Sequence, residues 1–271
     1  MNYFKRLSIF FLIVVTIFLR FDNLGYSHFY GDETKTFYLD KTKTALEFFL
    51  DQRKGPVQFI VSWIVEKLTG GYYELYQRLP FALASSLSVL VFYFLLKKLF
   101  SDNPEKDKIA ILSTFLFSIN GFFIAFGRTV QYQSFLILFG LTAILLFLYK
   151  RTILSGIFIG LSFLSHYDAI FFLFPIVYLA AQSYKKDLKN HLYLLLATIL
   201  IAAPFYILYL TSGKFQINTA DYLTNRISGK NLLPNNSLLT TQVYNPSFLY
   251  LVLLSFSSFT FIKIFKSIQN K

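Results

Sequence analysis

The sequence predicts an all-α membrane protein, a bundle of about eight transmembrane helices with interfacial helices in its first outer loop. Three observations lead there. Of 271 residues, 55% are hydrophobic, and long apolar runs recur towards both ends of the chain, a pattern no soluble domain sustains. Basic residues gather in short clusters between those runs, where Lys and Arg mark the cytoplasmic ends of spans. The runs alternate consistently only when every cluster lies on one side.

The same clustering removes nucleic acid as a partner, since the net charge of +12 is distributed as topology markers rather than as one basic face. Without cysteine there is no disulfide framework and no thiolate metal site. The outer face must hold together by packing.

Lys5 and Arg6 precede the first run, residues 7–19, which reaches spanning length if Arg20 snorkels and Leu24 marks the far edge. No small-residue cleavage site follows, so it reads as an uncleaved anchor. Further runs cover residues 79–96, 109–126, 134–149, 153–164, 169–182, 192–210 and 248–262. The clusters between them are Lys97-Lys98 with Lys106 and Lys108, Lys150-Arg151, Lys185-Lys186 with Lys189, and Lys263 with Lys266. With all of these inside, both termini are cytoplasmic, and the membrane is expected to be the plasma (inner) membrane.

Residues 57–68 break the parity if counted as a span. They are also too short to cross and carry Gln58, Glu66 and Lys67, so they read as an interfacial helix in an outer loop, residues 25–78, with Trp63 at headgroup level. Residues 36–49, with apolar positions set among charges, read as a second surface helix. Runs 153–164 and 169–182 read as a short hairpin whose turn, His166-Tyr167-Asp168, lies at the outer surface. Irregular backbone at that depth belongs where it lines a cavity. The chain then divides into residues 1–210, a transmembrane module, and residues 211–271, a polar outer loop (211–246) followed by a terminal span.

Gathering the outward-facing polar residues gives Asp32, Glu33, Lys54, Arg78, Arg128, Gln131, Gln133, His166 and Asp168, all on one side. Carboxylates facing cations at the mouth of a helical bundle suit group transfer from a membrane-anchored phosphate donor. A phosphate leaving group needs cationic clamping more than general-acid help, whereas an attacking hydroxyl needs a base. Each residue also has a plainer reading. Asp32, Glu33 and Lys54 would serve as solvated rim charges, Arg78 as the anchor of the following span, Arg128 as a snorkelling cation and His166 as a capped turn. The sequence holds no Gly-rich phosphate loop, internal repeat or metal-ligand spacing, so it names no cofactor and assigns no residue to a divalent metal.

Arg20, Leu24 and Gly31-Asp32-Glu33, then Lys54-Gly55-Pro56-Val57-Gln58-Phe59, then Glu74-Leu75-Tyr76-Gln77-Arg78-Leu79-Pro80 and Gly127-Arg128, resemble in order and spacing the opening two hundred residues of GT-C glycosyltransferases. The group concerned includes protein O-mannosyltransferases and lipid A aminoarabinose transferases. The resemblance implies a GT-C-type bundle that moves a sugar from a polyprenyl-phosphate donor to an acceptor hydroxyl on a cell-surface glycan, lipid or protein at the outer face. It also implies that Asp32 is the catalytic carboxylate with Glu33 beside it, while Lys54, Arg78, Arg128, Gln133 and His166, from their place on the same face, are the candidate substrate-binding residues. This chain departs from such relatives in two places. It has Gln133 where many carry an Asp and His166 where many carry a Lys, and a neutral His clamps phosphate less well. Relatives are commonly longer, so the chain is expected to hold the catalytic module alone or to be part of a longer protein. Two other functions fit the composition, a degenerate scaffold that keeps the fold and a lipid-linked sugar transporter. A transporter would need polar residues within several spans near the midplane.

Overall fold

The computed structural model describes residues 3–52 and 54–220, apart from the side chains of residues 3, 4 and 182–187. Two units are distinguished, residues 1–214 and 215–271, and of the second only residues 215–220, with a π-helical turn at Gln216–Ala220, belong to the described residues. The expected span at 248–262 and most of the loop at 211–246 lie outside them.

Among the described residues every element is helical. The helices are α1 (Tyr3–Phe21), α2 (Ala45–Leu50), α3 (Val57–Thr69), α4 (Glu74–Leu99), α5 (Lys106–Ser118), α6 (Gly121–Gly127), α7 (Gln133–Leu148), α8 (Thr152–Ser165) and α9 (Ile170–Thr211), with short 3₁₀ turns at Gly31–Thr36 and Tyr167–Ala169. Helices α7 and α8 pack antiparallel, tied by the Ser155 hydroxyl donating to the Ala143 carbonyl at 2.8 Å and the Ser162 hydroxyl donating to that of Leu136 at 3.1 Å. Their contact closes on Ala143, Ile159 and Ile176, the apolar centre of the bundle. Hydroxyl groups that bond to carbonyls in this way are satisfied without water, as an apolar surround requires.

The long helix α9 contributes two limbs that run in opposite directions. Phe172 packs on Gly140 and Ile176 on Ala143, so the first limb runs with α7. Leu194 and Ala197 meet Gly156, Ile201 meets Gly160, and the Tyr206 hydroxyl donates to the Phe163 carbonyl, so the second limb runs with α8. This reproduces the expected hairpin at 166–168 and the reversal near residue 185. The runs 169–182 and 192–210 fall within one helical element, Ile170–Thr211, whose prolines sit at 175 and 204 and not at the junction.

Other expectations need correction. Residues 36–49 are not one helix. The Asp40 carboxylate accepts from the Thr42 N–H in a local turn, and Thr44 with Glu47 forms a capping box that starts α2 only at Ala45. Run 109–126 is broken into α5 and α6, bent by 62°, because Asn120 caps the Phe122 and Phe123 N–H groups and restarts the helix. The buried Arg20 donates to the Ser118 carbonyl beside that break at 3.1 Å. By length and composition two described helices can cross a membrane, Glu74–Leu99 and Leu188–Thr211, or three if the bent pair counts as one, against about eight spans expected for the whole chain. The others fall short for stated reasons. Helix α1 carries Lys5, Arg6 and Arg20 in 19 residues, and α7 and α8 have only 16 and 14.

The bundle nevertheless has two chemically distinct ends. At one, Lys5 and Lys97 both pair with Asp107, and the Lys98 ammonium lies 5.2 Å over the Tyr149 ring. At the other lie the residues of the loop after α1, with Arg78, Val130, Tyr132 and His166.

Candidate functional site

At this second end the loop after α1 is shaped by Gly31, whose φ of +51° opens the 3₁₀ turn that carries Asp32 and Glu33. The two neighbouring carboxylates then meet opposite environments. Glu33 is only 1% exposed and its oxygens are fully engaged. Arg78, one turn into α4, donates to it through Nε and Nη2, both at 2.9 Å. The Val130 N–H donates at 3.0 Å and the Tyr30 N–H at 2.9 Å. Arg78 also donates to the carbonyls of Leu24, Ser27 and His28 at 3.1, 2.9 and 3.0 Å. A buried fork–fork pair of this kind fixes geometry, and here it sews the loop onto α4 and onto the segment between α6 and α7.

Asp32 faces the other way. Its side chain is 46% exposed, lies 2.6 Å from the exposed Lys35 ammonium and 3.8 Å from that of Lys54. Lys54 is well shielded, with its side chain 12% exposed; its ammonium lies 3.4 Å from the Gln131 side-chain oxygen and 5.1 Å over the Tyr132 ring. Behind Tyr132 stacks His166, with centroids 4.0 Å apart and planes 13° from parallel, and Tyr167 closes on that imidazole at 3.8 Å. The His166 Nδ1 sits 3.0 Å from an Asp168 carboxylate oxygen and 3.2 Å from the Asp168 backbone nitrogen. A neutral Nδ1 acceptor takes the backbone N–H, whereas a protonated one donates to the carboxylate.

The turn that delivers Lys54 is pressed against the end of α8. A Cβ on Gly55 would lie 2.0 Å from the Leu164 carbonyl oxygen, so only glycine allows this approach. On its other side, Gln58 in the first turn of α3 donates to the Thr36 hydroxyl at 3.3 Å, which docks α3 on the 3₁₀ turn behind Asp32. Further along the same loop, Asp51 accepts from Lys214 at 2.5 Å and from Lys43 at 2.7 Å, and these hydrogen bonds, that of Lys214 above all, hold its carboxyl below the usual range.

Asp32, Lys54 and His166 are thus joined through Tyr132 into one continuous polar and aromatic row ending at Asp168. Glu33 and Arg78 lie directly beneath as an internal ion pair. Arg128 donates to the carbonyls of Leu19 and Asp22 at 3.0 and 2.5 Å and so closes the C-terminal end of α1. Gln133 is not brought to the row. Its side-chain oxygen is buried without a hydrogen-bond partner in a small internal cavity shared with Arg20, Ser85 and Gly127. Sequence reading passed over Tyr132 as a site residue, although a ring between two glutamines, in a segment otherwise read as polar, is a visible signal. The roles of the Val130 N–H and of Gly55 leave no such mark. Among the described residues no group of three His, Asp or Glu side chains could hold a metal ion.

A family profile described as dolichyl-phosphate-mannose-protein mannosyltransferase matches residues 53–209. Lys54, Arg78, Arg128, Gln133 and His166 fall inside that stretch, and Asp32 and Glu33 lie just upstream. No curated protein and no solved structure matches the chain. The profile covers more than half the sequence and most of the bundle, so the chain belongs to the dolichyl-phosphate-mannose-protein mannosyltransferase family of GT-C-type membrane glycosyltransferases.

Proposed function

We propose that this glycosyltransferase moves a sugar from a polyprenyl-phosphate carrier to an acceptor hydroxyl at the Asp32 end of the bundle, with that end facing outwards from the plasma (inner) membrane. Asp32 is the base. As the acceptor oxygen bonds to the anomeric carbon, its proton passes to the Asp32 carboxylate, the bond from that carbon to the phosphate oxygen breaks, and polyprenyl phosphate leaves. Lys54 is the phosphate contact, a shielded ammonium that gains more from an incoming anion than an exposed one would. His166 and Tyr132 form the wall behind it, and Arg128 holds the end of α1 in place.

The observation that carries this reading is the contrast between the adjacent acids. Glu33 is locked in four hydrogen bonds, whereas Asp32 is half-exposed with a shielded cation 3.8 Å away. A base must reach its substrate, and of the two only Asp32 is accessible. The test is sugar transfer from a labelled polyprenyl-phosphate donor in detergent, with donor binding measured in parallel. Asp32→Asn keeps the shape and loses the proton acceptor, so turnover should fall on the order of a hundredfold to ten-thousandfold while the donor still binds. Wild-type turnover in Asp32→Asn would refute the assignment, and a wild-type protein that transfers no sugar from any such donor would favour the degenerate scaffold.

A further inference from the structure

A groove of about 660 Å³ lies away from this row, between α1 and α4. That volume is within the range of small-molecule sites. Ile9, Ile13 and Ile17 line it from α1, and Leu83, Leu87 and Leu90 from α4. Their spacing places each set on one helical face, the pattern of two helices meant to interdigitate. Here a groove runs between those residues, although the two helices meet where Arg20 donates to the Ser85 hydroxyl at 2.8 Å. From Lys5 to Phe21 the groove follows α1 for about 24 Å, close to the thickness of a hydrocarbon core.

Charge is confined to one end. Lys5 and Lys97 line the groove there, both partly exposed and both paired with the same carboxylate, Asp107, which leaves one net positive charge. The Lys97 ammonium also lies 5.6 Å over the Tyr93 ring at the same end. Lys54 and the proposed catalytic row belong to the opposite end of the bundle, so a lipid whose head group sits at Lys5 and Lys97 is not a donor poised for transfer.

We propose that this groove is a binding site for an anionic glycerophospholipid, its acyl chain lying between α1 and α4 and its phosphate held by Lys5 and Lys97. An amphiphile with a negative head meets both features, the apolar walls and the single cationic end. The site does not depend on the chemistry proposed for Asp32.

The test is native mass spectrometry of the full chain released from nanodiscs of phosphatidylglycerol, of phosphatidylcholine, or of phosphatidylcholine doped with polyprenyl phosphate. The wild type should retain phosphatidylglycerol about fivefold over phosphatidylcholine, the effect of one net basic charge near a membrane surface. The Lys5→Gln, Lys97→Gln double variant should lose that preference. Asp107→Asn should increase it, because removing the competing carboxylate frees a second ammonium, whereas a merely structural ion cluster would only weaken. Leu87→Trp, at a half-exposed position, should fill the groove and reduce retention of both lipids. Equal retention of the two phospholipids, preferential retention of polyprenyl phosphate, or a dimer that Leu87→Trp dissociates would each overturn the proposal.

Discussion

Glu33 and Asp32 are neighbours in sequence with different physical roles, and the difference is measurable. Truncating Glu33 to Ala leaves the Arg78 guanidinium, 3% exposed, buried without its carboxylate. Removing one partner of such a pair typically costs about 3–5 kcal/mol. Glu33→Ala should therefore lower the midpoint of thermal unfolding in detergent strongly, Glu33→Gln less, and the exposed Asp32→Asn hardly at all. Unfolding of Glu33→Ala at the wild-type temperature would remove the pair from the framework. The acidic pair stood out in the sequence at once, but which acid is structural did not. That depends on Arg78, 45 residues away, and on the Val130 N–H, 97 residues away, and a backbone donor has no side-chain signature.

At the scale of elements, the site is an assembly of ends, comprising the first turns of α3 and α4, the last turn of α8 and the link from α6 to α7. Gly55 is where two of these meet. Gly55→Ala places a methyl group 2.0 Å from the Leu164 carbonyl oxygen, and neither backbone can yield as a flexible side-chain tip would. The expected result is a loss of about 1–3 kcal/mol, the usual cost of overpacking, together with weaker donor binding as Lys54 is displaced. Lys54→Ala should weaken donor binding and leave stability nearly unchanged. Donor titrations and melting curves on both variants separate the two effects, and a Gly55→Ala protein with wild-type affinity would show that the turn does not set the position of Lys54. Helix α3 was legible because its residues are apolar without a breaker. The break at Asn120 and the late start of α2 were not, because a single cap inside an apolar or mixed run outweighs periodicity only through local hydrogen bonds.

For the molecule as a whole, the charge clusters of the sequence and the ion pairs of the structure give independent routes to one arrangement. Parity counting puts Lys5, Lys97 and Lys150 on one side, and in the structure Lys5 and Lys97 share Asp107 while Lys98 lies over Tyr149, the neighbour of Lys150. At the other end, Asp51 is held by Lys214, and Asp32 approaches Lys54. What parity could not supply was the number of helices long enough to cross, since that depends on interior breaks and on charges near helix ends. The grouping of ends leads to a prediction independent of that number. Reporters fused after Phe100 and after Lys150 should read the same side as each other, and reporters at Asp51 and Lys214 should both read the opposite side. By the bias of basic residues, the Phe100 side is the one expected to read cytoplasmic. A cytoplasmic signal at Asp51 with an external one at Phe100 would keep the fold but turn the Asp32 end inwards, so the proposed transfer would have to use donor and acceptor from the cytoplasmic leaflet. Opposite signals at Asp51 and Lys214 would contradict the bundle itself, because residues on opposite sides of a membrane cannot form an ion pair at 2.5 Å.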